Sequence, residues 1–365
     1  MLDSKVSSTF AEAIISWQKQ HGRHDLPWQT KLNQAPDPYA IWVSEIMLQQ
    51  TQVAAVIGYY ANFMARFPNI QALAAATQEE VLQSWSGLGY YSRARNLHNA
   101  AQKIVDDFSS QGGDVQFPID FDDILSLPGI GRSTAAAIST FALNSPQPIL
   151  DGNVKRVFAR YFNIAGLTNA PKVTQTMWQI AERENPTNPQ DAIIYTQGLM
   201  DLGATICTRG RPRCSECRMN IGCQAYINDN VYLLPTPKPK KLVPQKQTMM
   251  LILLKAGAGV SEVLLEKRPQ VGIWAGLWSL PEIDLHEIAT EAAFTRFGIE
   301  SEPDETLPVV KHAFTHYKLA IHPQPLQVVR HKTQANQAAN IWLPINEAIE
   351  AAIPTPVRNI LLSLI

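Results

Sequence analysis

The stretch Leu127–Val157, LPGIGRSTAAAISTFALNSPQPILDGNVKRV, constrains the fold of this chain more than any other. It opens with a proline and two glycines ahead of an alanine-rich run, the pattern of a tight turn that delivers the backbone into a helix. Glycine keeps the approach to that helix free of Cβ atoms. The first helical turn then offers unpaired N–H groups at the positive end of the dipole, a place that suits an anion such as a DNA phosphate. After a proline-containing connector, Asp151 stands alone among apolar and small residues, and Lys155, Arg156 and Arg160 follow it. A phosphate cradle, a carboxylate and a basic stripe in one segment suggest chemistry on DNA. The residue types alone leave open an ordinary pair of helices with Asp151 as an N-cap.

The 365 residues suffice for two domains with a sizeable core each. A net charge of −1 favours no polyanion by itself, but the charge is unevenly spread. Cys207–Arg218 holds four arginines and one glutamate, whereas residues 281–306 hold eight acids against Arg296 alone. One face for a polyanion fits this asymmetry, and so does a solvated acidic surface on the later part. No apolar run has membrane-spanning length, and the N-terminus lacks a basic-then-apolar signal. Ser7, Ser8 and Thr9 instead look like caps for a helix with Phe10, Ile14 and Trp17 on one stripe. A cytoplasmic location is expected.

From Ser8 to about Ala225 the periodicity is helical almost throughout. Asp37-Pro38 starts YAIWVSEIM, apolar nearly all round and therefore buried, with Glu45 its one charge. A second helix starts at Ser92, and shorter ones are expected at Gln78–Trp85, Phe121–Ser126, Thr134–Leu143, Gly152–Phe162, Val173–Glu184 and Gln190–Gly203. Residues 228–247, with four prolines and four lysines, form an extended linker. Beyond it, strand patterns at Thr248–Lys255, Val263–Lys267, Val309–His322 and Gln327–Val329 are joined by helical patterns confined to Asp284–Phe297 and Asn346–Ala352. This is an α+β domain.

All four cysteines, Cys207, Cys214, Cys217 and Cys223, follow the spacing C-x6-C-x2-C-x5-C. Disulfides do not belong in a cytosolic chain. The spacing points to a metal centre and leaves open an iron–sulfur cluster, a zinc site or unliganded thiols. The intervening arginines would form a basic loop beside the metal, a reasonable DNA backbone contact that is equally common as plain surface.

LPGIG, the downstream Asp and the cysteine spacing resemble the helix-hairpin-helix glycosylases of the endonuclease III superfamily. Trp42–Val53 (WVSEIMLQQTQV), Gly87–Leu97 (GLGYYSRARNL) and Leu150–Val157 (LDGNVKRV) resemble its MutY-type adenine DNA glycosylases, and the likeness covers nearly the whole chain. It implies an all-α helix-hairpin-helix glycosylase domain over 1–227, with the hairpin at 121–143 and a [4Fe–4S] loop at 207–223. After the linker it implies a Nudix-like domain over 248–365 that recognises 8-oxoguanine. The substrate would be double-stranded DNA with adenine opposite 8-oxoguanine or guanine, bound by a monomer. Bifunctional relatives carry a lysine where this chain has Ser133. Serine has no amine for a Schiff base, so a monofunctional enzyme is expected.

By resemblance, Glu45 is the general acid that protonates adenine. Its place on an apolar helix supports this, since desolvation raises a carboxyl's pKa. Asp151 would stay ionised and stabilise the oxocarbenium-like sugar, its pKa lowered by helix-start N–H groups. Asn153 matches a position that hydrogen-bonds this Asp or the attacking water. Trp28 and Gln197 match residues lining the adenine pocket, although by type Trp28 fits a core and Gln197 a solvated helix face. Gln50 and Thr51 match residues that wedge into the duplex, and Leu88 and Tyr90 an intercalating pair, against plain helix-end packing. Gly129 and Gly131 would present their amides to phosphate. One departure concerns Ser133, where some relatives place a Tyr against the adenine.

In the later domain Glu291–Arg296 falls where a Nudix box would place its metal-binding glutamates, and those are missing. Recognition is then the expected role, through Phe314, Thr315 and His316, which match a Phe-Ser-His loop with Thr replacing Ser. His312 and His316, read as strand residues, are expected to pack or hydrogen-bond rather than hold a metal.

Overall fold

The computed structural model describes residues 9–31, 34–109, 115–239, 242–257, 259–331 and 339–365. Ser7 and Ser8 lie outside the described residues. The described chain falls into two compact units. One takes residues up to Ala74 and Asn99–Lys240; the other takes Ala75–His98 and Lys241–Ile365, so the division falls within the linker.

Twelve helices precede the linker among the described residues: α1 (Phe10–His21), α2 (Pro38–Leu48), α3 (Val53–Arg66), α4 (Ile70–Ala75), α5 (Gln78–Ser84), α6 (Ser92–Phe108), α7 (Phe121–Ser126), α8 (Arg132–Leu143), α9 (Gly152–Tyr161), α10 (Pro171–Glu184), α11 (Pro189–Thr205) and α12 (Gln224–Ile227). Thr9 caps α1 in a reciprocal box with Glu12, and Asp37 caps α2 with Pro38 in its first turn. The α9 side chains Val154, Val157 and Phe158 recur at helical spacing. They pack with Ile14 and Trp17 of α1 and with Tyr195, Leu199 and Leu202 of α11. Between α7 and α8 the Ile130 N–H donates to the Leu127 carbonyl (3.1 Å), with Pro128 and then Gly129 (φ 80°) between them. A type II turn demands this order, because its third residue needs positive φ.

The expected linker is partly ordered. Val231–Leu233 form a 3₁₀ turn, and Val231 and Leu234 are buried in the first unit's core. The Thr236 hydroxyl accepts from the Gly166 N–H (2.8 Å). Lysine and proline content concealed these apolar anchors.

In the second unit β1 (Gln245–Lys255), β2 (Glu262–Lys267), β3 (Trp278–Ser279), β4 (Glu282–Ile283), β5 (Ile299–Pro303), β6 (Val310–Ala313), β7 (Lys318–His331) and β8 (Asn340–Pro344) make one mixed sheet ordered β3-β2-β1-β7-β5. Strand β4 pairs with β1, β6 with β7 and β8 with β2. Strands β1 and β7 run parallel. Successive residues Met250–Leu254 are all buried, as in a strand covered on both faces. Helix α13 (Ala289–Phe297) sets Ala292, Ala293 and Phe297 against Leu251, Leu253 and Ile299.

Helix α14 (Ile345–Glu350) falls on the second expected segment, whereas α15 (Thr355–Leu362) lies outside both, so helices are not confined to the two expected segments. The pattern Val309–His322 is two strands rather than one. Residues Phe314–Tyr317 turn between β6 and β7, with Ala313 opposite Lys318. His316 therefore sits in a turn, not on a strand.

Phe158 is fully buried at the meeting of α1, α9 and α11. Phe158→Ala should cost about 3–5 kcal/mol of unfolding free energy. Urea denaturation of the full chain checks this; a loss under about 1 kcal/mol would show that α9 does not anchor the core.

Candidate active site

A cleft of about 2050 Å³ opens in the first unit. Trp28, Glu45, Gln50, Thr51, Ser133, Asp151, Asn153 and Gln197 line it, so residues expected to act on adenine come together. Its described lining includes seven lysines and arginines, among them Lys31, Lys155, Arg209 and Lys238. Only two carboxyls, Glu45 and Asp151, share it with them. Such a surface raises the local concentration of a polyanion.

Glu45 reaches the cleft from α2, whose other faces bury Ile41, Trp42, Val43, Ile46 and Met47. Removal of its carboxyl from water, with Asp151 opposite as a second negative group, raises its pKa to about 7. Asp151 is the N-cap of α9. Its carboxylate accepts from the Val154 N–H (2.8 Å) and from Asn153 Nδ2 (3.3 Å).

The expectation of a lowered Asp151 pKa is corrected. Desolvation pushes the group above the ordinary carboxylate range, although the Val154 and Asn153 hydrogen bonds and nearby Arg156 oppose that shift. Capping holds the charge, but burial outweighs it. Those donors set the two groups apart: hydrogen bonds favour the charged form of Asp151, whereas none reaches the Glu45 carboxyl among the described residues.

The Ser133 hydroxyl accepts from the Leu150 N–H (3.0 Å) and so pins the chain just ahead of Asp151. Gln197 is not a solvated helix residue. Its Nε2 donates to Asp201 (2.9 Å), which leaves Oε1 as the end available to a ligand. Asp201 is fully buried and also takes the Arg23 guanidinium (2.6 Å) and backbone N–H (2.8 Å). Sequence reasoning missed this Asp201–Arg23 pair; the one signal was a lone carboxylate in the apolar run LMDLGA. Trp28 is both core and cleft wall. It is buried, packs edge-on to Tyr60 (5.4 Å) and lines the cleft.

Gln50 is exposed with φ 57°, a left-handed conformation uncommon for glutamine. In the second unit Tyr90 is also left-handed (φ 50°) and 47% exposed, while Leu88 is buried. Thr315 and His316 are exposed at the β6–β7 turn and Phe314 is half-buried. Gly131 caps α8, and a Cβ there would meet nothing within 4 Å, so the helix start is open to a ligand. On α13, Arg296 pairs with both Glu266 carboxylate oxygens (2.8 Å each), an ion pair beside the position of the missing Nudix glutamates.

The basic stripe after Asp151 mostly turns inward. Arg156 donates to Asn153 Oδ1 (2.8 Å) and to the Gly203 (2.6 Å) and Cys207 (2.7 Å) carbonyls. Arg160 is buried and donates to Cys207 Sγ (3.4 Å) and to the Thr208 (2.8 Å) and Leu234 (2.8 Å) carbonyls. Asn153 and Arg156 thus link Asp151 to the cysteine loop.

The four cysteines form no disulfide and pack against the helical core. Burial, and then the neighbouring cysteines, push the Cys217 thiol up to about 11. Among the described residues no group of three or more His, Cys, Asp or Glu is placed as a metal cage. The donor chemistry nevertheless fits a cluster. The four thiols lie close enough in the fold to influence one another electrostatically and would need an acceptor for their charge when ionised, and the Arg160 guanidinium lies against one of them.

A carboxyl whose folded pKa is raised weakens the fold at high pH. For Glu45 the cost grows from the ordinary 4.5 to about 7 and is complete above that. Glu45→Gln should therefore stabilise the chain at pH 8, by on the order of 2 kcal/mol, and change little at pH 4. Urea unfolding at both values checks this; no gain at pH 8 would mean Glu45 is not desolvated.

Residues 43–183 match the model of the HhH-GPD superfamily of base excision DNA repair proteins, and residues 249–363 match the NUDIX domain. The helical unit resembles the structure of a thermostable thymine-DNA glycosylase, at 28% identity and a TM-score of 0.52 over 60% of this chain and 95% of that one. Over nearly the full length, the adenine DNA glycosylase of Buchnera aphidicola subsp. Baizongia pistaciae is 35% identical, covering 96% of this chain and 95% of the relative. The adenine DNA glycosylase of Homo sapiens is 32% identical, covering 97% and 73%. With two carboxyls in a basic cleft behind a helix-hairpin-helix turn, and relatives of this similarity along its whole length, the chain belongs to the adenine DNA glycosylases.

Proposed function

We propose that this enzyme excises adenine mispaired with 8-oxoguanine or guanine in double-stranded DNA, as a monofunctional, monomeric glycosylase of the bacterial-type cytosol. The carrying observation is the pair of cleft carboxyls in unequal settings, Glu45 with a pKa of about 7 and Asp151 held by hydrogen bonds.

The adenosine leaves the stack and enters the cleft. Trp28 offers a ring face or edge to the base, and Gln197 Oε1 an acceptor for its amino group. Protonated Glu45 gives its proton to adenine N7, which turns the base into a neutral leaving group. The N-glycosidic bond breaks and its electron pair departs with the adenine. The sugar becomes an oxocarbenium-like cation, stabilised by the Asp151 carboxylate. Glu45, now ionised, takes a proton from the water that adds to C1′, with Asn153 orienting Asp151 or that water. Ser133 offers no amine, so no Schiff base forms and the abasic strand stays whole.

Gln50 and Thr51 wedge into the duplex and contact the oxidised guanine, and the amides at Gly129 and Gly131 hold a phosphate. Leu88 and Tyr90 intercalate beside the opposite base, and Phe314, Thr315 and His316 read it. Cys207, Cys214, Cys217 and Cys223 would hold a [4Fe–4S] cluster, which would supply a rigid, charged anchor for the basic loop.

The test compares A:8-oxoguanine, A:G and thymine-glycol duplexes. Adenine should be released from the first two, leaving a strand that breaks only after alkali. Asp151→Asn should lose about three orders of magnitude in rate and still bind the mismatch. Direct strand cleavage with a borohydride-trappable adduct, or robust turnover by Asp151→Asn, would contradict the mechanism. Stoichiometric iron with visible absorption is expected of the purified chain; zinc alone would contradict the cluster.

A further inference from the structure

Six non-glycine residues adopt positive φ among the described residues, and three of them are Asn or Asp, which tolerate it. The others are Gln50, Tyr90 and Trp274 (φ 56°). Bulky side chains persist in this region only where surrounding structure over-determines them, and such strain collects at working sites. Gln50 and Tyr90 already have DNA contacts proposed for them. Trp274 has no role.

Trp274 lies in the turn Gly272–Gly276 of the second unit, between two glycines that also take positive φ (88° and 75°). Its ring is buried against Phe314 (5.3 Å between centroids) and His312 (5.8 Å). The next carbonyl, of Ala275, accepts from Arg95 Nη1 (2.9 Å). Arg95 stands in the first turn of α6, directly after the Gly87–Tyr91 loop that carries Tyr90. Arg93, two residues earlier, lies over the Tyr90 ring and donates to the Gly89 carbonyl (3.0 Å).

Further contacts hold this helical segment on the domain. Lys267 pairs with Glu79 (2.9 Å), which also accepts from Trp278 Nε1, and Ser86 Oγ donates to the Ile353 carbonyl (2.8 Å). Residues 75–98 thus belong to the body that carries the Phe314–Tyr317 tip, although α6, which begins among them at Ser92, continues to Phe108.

We propose that the Trp274 turn fixes the Tyr90 loop against the Phe314–Tyr317 tip, and that Arg95 is the positioning residue through which this turn sets discrimination between 8-oxoguanine and guanine. The inference rests on the opposite-base reading proposed for these two loops. 8-Oxoguanine differs from guanine by one oxygen and one N–H, so telling them apart requires both loops to stand within a fraction of an ångström of their working positions. Arg95 gives them a common anchor on the Ala275 carbonyl. Without it each loop still folds and the other contacts keep the segment on the domain, but the two loops lose the anchor nearest to both.

The experiment measures single-turnover adenine excision by the full chain on A:8-oxoguanine and A:G duplexes, for the wild type, Arg95→Ala, Arg95→Lys and Glu79→Gln. Arg95→Ala should lower the rate ratio of the two substrates about tenfold, with the A:G rate within about twofold of wild type. Arg95→Lys, which keeps a donor, should recover part of the ratio. Glu79→Gln, at a partly exposed ion pair of the same contact, should lower it by a smaller factor without risk to folding. Equal losses on both duplexes, or an unchanged ratio in Arg95→Ala and Glu79→Gln, would overturn the inference while leaving the proposed function standing. A wild type that excises neither adenine would overturn the proposed function and this inference with it.

Discussion

The Asp151 carboxylate, capping α9 through the Val154 N–H, is the contact on which the rest of the first unit depends. Helix α9 then serves three purposes along one axis. Its N-terminus aims Asp151 into the cleft, Val157 and Phe158 anchor the core, and Arg156 and Arg160 grip the cysteine loop. A displacement of the cysteine loop would reach the carboxylate through Arg156 and Asn153. Placement matters at such a group, because misplacing a catalytic group by about 1 Å costs as much as two orders of magnitude in rate.

The second constraint is electrostatic. A basic cleft attracts DNA, but cations evenly spread would also strip the proton from a general acid. Here Arg156 and Arg160 are taken up by carbonyls, and Arg23 is neutralised by Asp201. Glu45 is left among apolar neighbours with a second carboxyl as its main charged influence. Burial and like charge act together on Glu45, whereas hydrogen bonds oppose burial at Asp151. The two carboxyls thereby stand side by side in unequal electrostatic settings.

Much of this was legible in the sequence. Helix α7 and the turn into α8 follow directly from PGIG and its flanking periodicity, and Glu45 is conspicuous as the one charge on an apolar helix. The fate of the arginines was not legible, since an exposed phosphate contact and a buried carbonyl clamp use the same residue at the same spacing. Arg160 shows the second case. The raised Asp151 pKa was equally hidden, because the cap is local whereas the burial comes from segments distant in sequence. Helix α15 was masked by the prolines around Thr355, and the attachment of residues 75–98 to the later domain rests on long-range contacts such as Glu79 with Lys267. The left-handed Tyr90 and Trp274 carry no sequence signature, because nothing in their residue types favours that conformation.

The division of labour between the two carboxyls is the central claim, and infrared difference spectroscopy of the free enzyme tests it most directly. Wild type minus Glu45→Gln spectra, followed across pH, isolate the carbonyl stretch of a protonated Glu45. The account predicts that this band persists well above the ordinary carboxyl range and is half lost at about 7. Loss of the band near the ordinary carboxyl value of 4.5 would show that Glu45 is ionised at working pH and is not the proton donor.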